Sequence, residues 1–300
     1  MKTKSIVCIT HHLFSGAIFA GVVMLMAPSL RAQNLFVSNT RTGTITEITP
    51  DGQQSTYASG LNDPTGMAFD SAGDLFVGDL SGSVYEITPD GAQTTIASGL
   101  GFGVGGLAFN GAGDLFVADT NDTIIGTSRI IEITPDGQQS IFTSGFNRAS
   151  GLAFDSAGNL FVADRYTYNI FKVTSGGAIS VFASGLYDPF GLAFNSTGNL
   201  FMTDSSDTII EITPDGQQSP FVSGLDNPQG LAFNSAGDLF VANSGNGTIT
   251  EITPGGQQTT FASRLSNPTF LAFQPVPEPS ALGLLAVSTA ALLVRRRHQI

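Results

Sequence analysis

Between Leu35 and Phe273 the chain holds no hydrophobic period for longer than about six residues. Apolar clusters of three to six residues alternate with turns rich in Gly, Pro, Asn and Asp. Triplets of the LFV kind start at Leu35, Leu75, Leu115, Leu160, Leu200 and Leu239, in steps of 40, 40, 45, 40 and 39 residues. GLAF-like quartets start at Gly66, Gly106, Gly151, Gly191, Gly230 and Phe270. One full unit reads GLAFNSAGDLFVANSGNGTITEITPGGQQTTFASRL, from Gly230 to Leu265. In it GLAF passes through the Ser235-Ala236-Gly237-Asp238 turn into LFVA. TITEIT then alternates by twos, and Pro254-Gly255-Gly256 turns the chain into QTTFAS. Short alternating runs bounded by such turns predict four antiparallel strands per unit. Four strands in about 40 residues, repeated around a ring, is the arithmetic of a propeller blade.

The two ends of the series are out of step. The first LFV, at Leu35, has no quartet before it, and the last quartet, at Phe270, has no LFV after it. Six starts of each kind, offset by one, predict six blades in which the last strand pairs with the first and leaves no open edge. The predicted fold is therefore all-β: a six-bladed β-propeller of four-stranded antiparallel blades over residues 33–275, closed by its own N- and C-terminal strands. Twelve of the 23 Phe fall at only two places in the unit, Phe36, Phe76, Phe116, Phe161, Phe201 and Phe240, and Phe69, Phe109, Phe154, Phe194, Phe233 and Phe273. That regularity predicts inter-blade core, each ring contributing about 1.5–3 kcal/mol on burial.

Charge sharpens the picture. The net charge is −12, but six of the 12 Lys and Arg sit in the two ends. The repeats keep Arg41, Arg129, Arg148, Arg165, Lys172 and Arg264 against 23 acidic residues, a formal charge of −17. Such a surface repels phosphate backbones and excludes nucleic acid as a partner. Cys8, the single cysteine, lies in the leader, so no disulfide is expected in the repeats.

The ends read as addresses. Residues 1–32 open with MKTK, continue with the fifteen-residue apolar run Leu13 to Ala27, break at Pro28 and reach the small residue Ala32. That order is a Sec-type signal peptide; the alternative, a retained anchor, meets a run short for spanning a bilayer. Residues 276–300 join Val276, Pro277, Glu278 and Pro279 to a fourteen-residue apolar stretch, Ala281 to Val294, and then to Arg295, Arg296 and Arg297. The prolines hold the chain extended. The arginines keep the tail's end cytoplasmic. This tail resembles the PEP-CTERM sorting signal of Gram-negative bacteria. The resemblance implies export, transient anchoring in the inner membrane by the C-terminal helix, an exosortase-type protease as partner, and a final place in the cell envelope or outside the cell.

The repeats themselves, for example GLAFDSAGNLFVADRYTYNIFKV from Gly151 to Val173, resemble NHL repeats and the six-bladed propellers of the SMP-30/gluconolactonase type. That resemblance covers about residues 34–274 and implies fold more than function, because this fold hosts binders, lyases and lactonases.

Candidate chemistry is sparse. The three His are His11, His12 and His298, so the propeller has neither a His base nor a Cys nucleophile. No Glu-Gly-Pro motif marks the metal site of the gluconolactonase type. Asp79, Asp119, Asp164 and Asp204 open the loop after four of the LFVA-like strands, and Asn39 and Asn243 open it after the other two. A ring of carboxylates suits Ca²⁺ or another divalent cation; an Asp or Asn repeated in every blade favours instead an Asx turn that caps its own loop. The glutamates of the EIT strands, such as Glu86 and Glu251, read as solvated strand positions. Departures from the repeat point elsewhere. Blade 3 gains five residues around 121–128. Arg148, Arg165, Tyr166, Tyr168, Tyr187 and Phe190 gather on the loops of blades 4 and 5. Aromatic platforms flanked by Arg suit a carbohydrate or protein partner. The expected function is a binding module, with extracellular polysaccharide or protein as ligand; the alternative is a metal-dependent hydrolase of the SMP-30/gluconolactonase type.

Overall fold

The computed structural model describes residues 33–101, 103–120 and 126–276. Residues 1–32, expected to be a signal peptide, the tail from Pro277 onward, Phe102 and residues 121–125 of the long blade-3 loop lie outside the described residues. Among the described residues twenty-four strands form six four-stranded antiparallel sheets. Blade 4 is typical: Ala149–Phe154 lies innermost, then Leu160–Asp164, Asn169–Val173 and Ile179–Ala183. The inner strands of successive blades touch all the way round, so the sheets close into a ring.

Closure is made by the mismatched ends. Pro268–Phe273 is the inner strand of blade 1, whose other strands are Leu35–Asn39, Thr44–Ile48 and Gln54–Ser59. Leu35 faces Phe273, Phe36 faces Ala272 and Val37 faces Leu271. The Gln274 N–H donates to the Asn34 carbonyl at 3.0 Å and extends this pairing by one bond. Among the described residues no helix is long and apolar enough to cross a membrane.

The core is a set of inter-blade clusters. The second strand of each blade is buried almost along its length, as in Leu160, Phe161, Val162, Ala163 and Asp164. Its phenylalanine meets a phenylalanine of the next blade's inner strand edge-to-face: Phe161–Phe194 at 5.0 Å and Phe116–Phe154 at 5.0 Å. Each such pair adds about 0.5–1.5 kcal/mol beyond the area it buries. The EIT glutamates, expected in solvent, are half-buried beside these rings, because the radial sheets pack on both faces.

Nearest the axis the side chains become very small. A Cβ on Gly106 would lie 2.7 Å from the Ser150 carbonyl oxygen, and one on Gly230 would lie 2.7 Å from the Phe270 Cα. Gly66, Gly151 and Gly191 sit against the next inner strand in the same way. Glycine is needed there for close backbone approach, not for an unusual torsion.

Candidate functional site

Four blades are entered through Asp63-Pro64, Asp188-Pro189, Asn227-Pro228 and Asn267-Pro268. All four Asp or Asn residues have φ between +49° and +57°, the left-handed region that these two residue types tolerate best. In three of these blades the proline, Pro64, Pro228 or Pro268, is the first residue of the inner strand and fixes its first torsion. Each loop thus rises above the channel and turns down into it.

The loops enclose a depression of about 580 Å³ at the channel mouth. Blade 1 contributes Thr40, Arg41, Asn267 and Thr269, and blade 6 contributes Asn227, Gln229 and Ser244. Asp63, Thr65 and Leu80 come from blade 2, Arg148 from blade 4 and Phe190 from blade 5. Local bonds organise this rim. The Asn227 amide donates to Ser244 Oγ at 2.7 Å, and the Gln229 amide donates to Asn227 Oδ1 at 3.0 Å. Asn267 Nδ2 donates to Thr40 Oγ1.

One level into the channel, the repeat is broken twice. Phe190 stands where other blades carry Thr65, Gly105, Ser150, Gln229 and Thr269. Phe270 stands where the others carry glycine. The two rings pack at 5.2 Å with a 44° tilt. The space beside and below Phe270, bounded by Gly106, Gly151, Gly191 and Gly230, amounts to about 220 Å³. The mouth is therefore a shallow bowl with an aromatic in its wall, above a channel narrowed by a second aromatic.

The six residues expected to bind ligand divide into four groups. Arg148 and Phe190 line the bowl. Tyr166 holds Arg148 from outside: its ring lies 5.3 Å from the guanidinium carbon, and Arg148 Nη1 donates to its hydroxyl at 3.2 Å. Arg165 is committed elsewhere. It makes a two-pronged ion pair with Asp188, Nε to Oδ1 at 2.7 Å and Nη2 to Oδ2 at 2.5 Å, and its guanidinium covers Phe190 at 5.1 Å. Such bidentate geometry fixes both partners, so Arg165 positions Phe190 and the blade-5 loop. Tyr168 and Tyr187 are exposed but do not line the bowl.

Asp79, Asp119, Asp164 and Asp204 are all buried and are not brought together; each serves its own blade. Asp79 Oδ1 accepts from the Ser81 N–H at 2.9 Å and its Oδ2 from the Asn62 N–H at 3.3 Å. Asp119 accepts the Gly101 N–H at 2.6 Å and Arg129 Nε at 2.6 Å. Asp164 takes the N–H groups of Asn147, Arg148 and Thr167, and Asp204 those of Ser206 and Thr208. Asn39 and Asn243 replace the carboxylate in blades 1 and 6 and accept from Ser266 and Asp226. An amide that does the same work fits loop capping.

Among the described residues no three His, Cys, Asp or Glu side chains converge. The bowl holds one carboxylate, Asp63, beside two guanidinium groups. A hard divalent cation takes six to eight oxygens, and this donor set does not fit one. Beside these three charged groups the bowl offers hydroxyl and amide groups around an aromatic wall. The residues that supply them, above all Gln229 and Thr269, were missed in the sequence; the position just before each GLAF quartet was the usable mark.

Comparison with known proteins agrees with this architecture. The NHL repeat family model matches residues 225–251. No match is found among curated proteins. The chain is similar to a solved protein of unknown function from Bacteroides caccae, at 17% identity and a TM-score of 0.66 over 82% of this chain and 100% of that one. It is similar to a gluconolactonase from Xanthomonas campestris, at 17% identity and a TM-score of 0.63 over 70% of this chain and 79% of that one. Virginiamycin B lyase from Staphylococcus aureus matches at 17% identity and a TM-score of 0.56 over 70% of this chain and 77% of that one. A catalytically inactive variant of that lyase has alanine in place of a histidine. At these identities the likeness is one of fold. The chain is a six-bladed β-propeller that carries an NHL repeat and shares its fold with gluconolactonase and virginiamycin B lyase structures.

Proposed function

We propose that this chain is an exported propeller that binds a hydroxyl-rich ligand, an extracellular polysaccharide, at the mouth of its central channel. The observation that carries this reading is the lining of the bowl: Thr40, Asn227, Gln229, Asn267 and Thr269 present hydroxyl and amide groups around Phe190. Sugars are recognised by such groups, which donate and accept at fixed spacing, together with an aromatic against which a C–H face packs. The N-terminal leader and the Pro-Glu-Pro tail support export through Sec. They also support transient tethering in the inner membrane and processing by an exosortase-type protease at the envelope.

The lyase and gluconolactonase likenesses extend to fold. A lyase that depends on histidine has no counterpart group here, since the propeller's sequence contains none. A metal-dependent lactonase would need oxygen ligands that the bowl does not assemble. Titration calorimetry of the intact protein with soluble exopolysaccharide tests the reading, with lactone hydrolysis assayed in parallel with and without chelator. Saturable binding without hydrolysis is expected. Chelator-sensitive hydrolysis, or the absence of binding, overturns it.

A further inference from the structure

Five of the six inter-blade contacts hold three aromatic rings. In each, the LFV phenylalanine meets one ring from its own outer strand and one from the next blade's inner strand. Phe161, for instance, packs edge-to-face on Phe182 at 4.8 Å and on Phe194 at 5.0 Å. Tyr57, Phe142, Phe221 and Phe261 supply the outer ring in four other contacts. Between blades 2 and 3 the outer ring is missing. Phe76 meets Phe109 at 5.0 Å, but Ile96 occupies the third place. Of the six equivalent phenylalanines, Phe76 alone is not buried. A notch of about 610 Å³ opens there, against about 430 Å³ at the equivalent place between blades 4 and 5.

The blade 4–5 notch shows what such a site accommodates. Lys172 Nζ lies 5.5 Å from the Phe161 ring centre and 3.6 Å from Asp155 Oδ2. Burial works to raise the Asp155 carboxyl, but hydrogen bonds from Asn159 and Ala157 and the Lys172 charge outweigh it and hold the group below its usual range. In the blade 2–3 notch Asp70 stands for Asp155 and Phe76 for Phe161, while Glu86 replaces Lys172. Among the described residues no cation pairs with Asp70 or Glu86. Asp70 Oδ1 accepts only the loop N–H groups of Ala72 and Asp74. Nearby Asp74 is pushed above the usual carboxylate range by burial and by the charges of Asp70 and Asp90, as expected where negative charge has no counterion.

We propose that the notch between blades 2 and 3 is a second binding site, for an organic ammonium ion that carries an aromatic group. The ring packs against Ile96, in the room left where Ile96 stands for the larger Phe182 ring of the blade 4–5 notch. The ammonium takes the place of Lys172, over Phe76 and between Asp70 and Glu86. Attraction of a cation to an aromatic face and to two carboxylates in a concave site supplies the recognition.

The test uses the intact protein and phenethylammonium chloride at low ionic strength, followed by calorimetry or saturation-transfer NMR, with 2-phenylethanol as the uncharged control. One site is expected, with the alcohol about tenfold weaker. Ile96→Phe fills the ring position and Glu86→Lys supplies an internal cation, and each is expected to weaken binding by about tenfold or more while thermal stability is kept. The double substitution Lys172→Glu with Phe182→Ile is expected to create a second equivalent of sites, so the proposal remains testable even if a filling variant fails to fold. Absence of binding to the native protein, equal affinity for the alcohol, or undiminished binding in the folded filled variants overturns it.

Discussion

Phe190 of blade 5 and Phe270 of blade 1 pack ring against ring at 5.2 Å, with the whole of blade 6 between them along the ring. Eighty residues separate them in sequence, and only a closed ring brings them together. Each replaces a smaller residue of the repeat: the axis is filled where it would otherwise be lined by glycine. Arg165, clamped on Asp188, also lies over the Phe190 ring. The bowl, the narrowed channel and the closing strand are thus one packed unit.

Returning position 270 to the residue that its repeats carry should show this coupling. Phe270→Gly removes a half-buried ring and leaves a cavity that the neighbouring inner strands cannot collapse into. A loss of about 2–3 kcal/mol is expected in chemical denaturation. Unchanged stability would mean that the ring contributes no packing.

The inner glycines should be intolerant in a position-specific way. Gly151→Ala forces a Cβ against the Phe190 carbonyl and the backbone of Gly191, neither of which has a flexible end to move. About 3 kcal/mol of destabilisation is expected. Gly111→Ala, in open space on a turn, should be neutral or slightly stabilising. Thermal melts of the pair check the contrast.

The steps of the repeat revealed blade number, strand order and closure, because each is a property of spacing. Leu35 and Phe273 pair as the out-of-step ends required. Contacts across blades were less legible. Arg165 looked available for ligand because Asp188 is 23 residues away on another blade's loop. Asp79 and its equivalents left a ring of metal ligands open beside the favoured loop caps, because the one-letter pattern does not show that each is buried beneath its own loop. The aromatic trio was half visible: the two regular phenylalanines stood out, but the outer ring is Tyr57 in one blade and Ile96 in another, which blurs the column. The Phe190–Phe270 stack left a trace only as two exceptions to the consensus.

Arg129 and Asp119 offer a test of the capping role. Asp119 is buried and bonded to Arg129 Nε and to the Gly101 N–H. Arg129→Met leaves a buried carboxylate with one neutral donor, and about 3 kcal/mol should be lost near neutral pH. Asp119→Asn in the same background should recover part of it, as Asn39 and Asn243 perform the same task in their blades. A double-mutant cycle measures the coupling.

Glu251 should leave a mark on the pH dependence of stability. Burial, and then the like charge of Asp238, raise its carboxyl above the ordinary glutamate range in the folded protein. The folded state therefore holds this proton more tightly than the unfolded chain. Its contribution to stability is complete below the ordinary range and is lost as pH rises through the raised value. Glu251→Gln should remove that fall, and make the protein more stable than the native chain at neutral pH. Denaturation midpoints from pH 4 to 7 check the sign; parallel curves for the two proteins would contradict it.

Everything at the channel mouth depends on Pro268–Phe273 being locked beside Leu35–Asn39. Amide hydrogen exchange of the intact protein, read by mass spectrometry on peptides that span these two strands, measures that directly. A closed ring predicts that Leu271 and Phe273 exchange as slowly as Leu35 and Val37, at rates set by opening of the whole propeller. Exchange of the 268–273 segment at the rate of an unstructured peptide, while the other inner strands stay protected, would show an open ring and contradict the account.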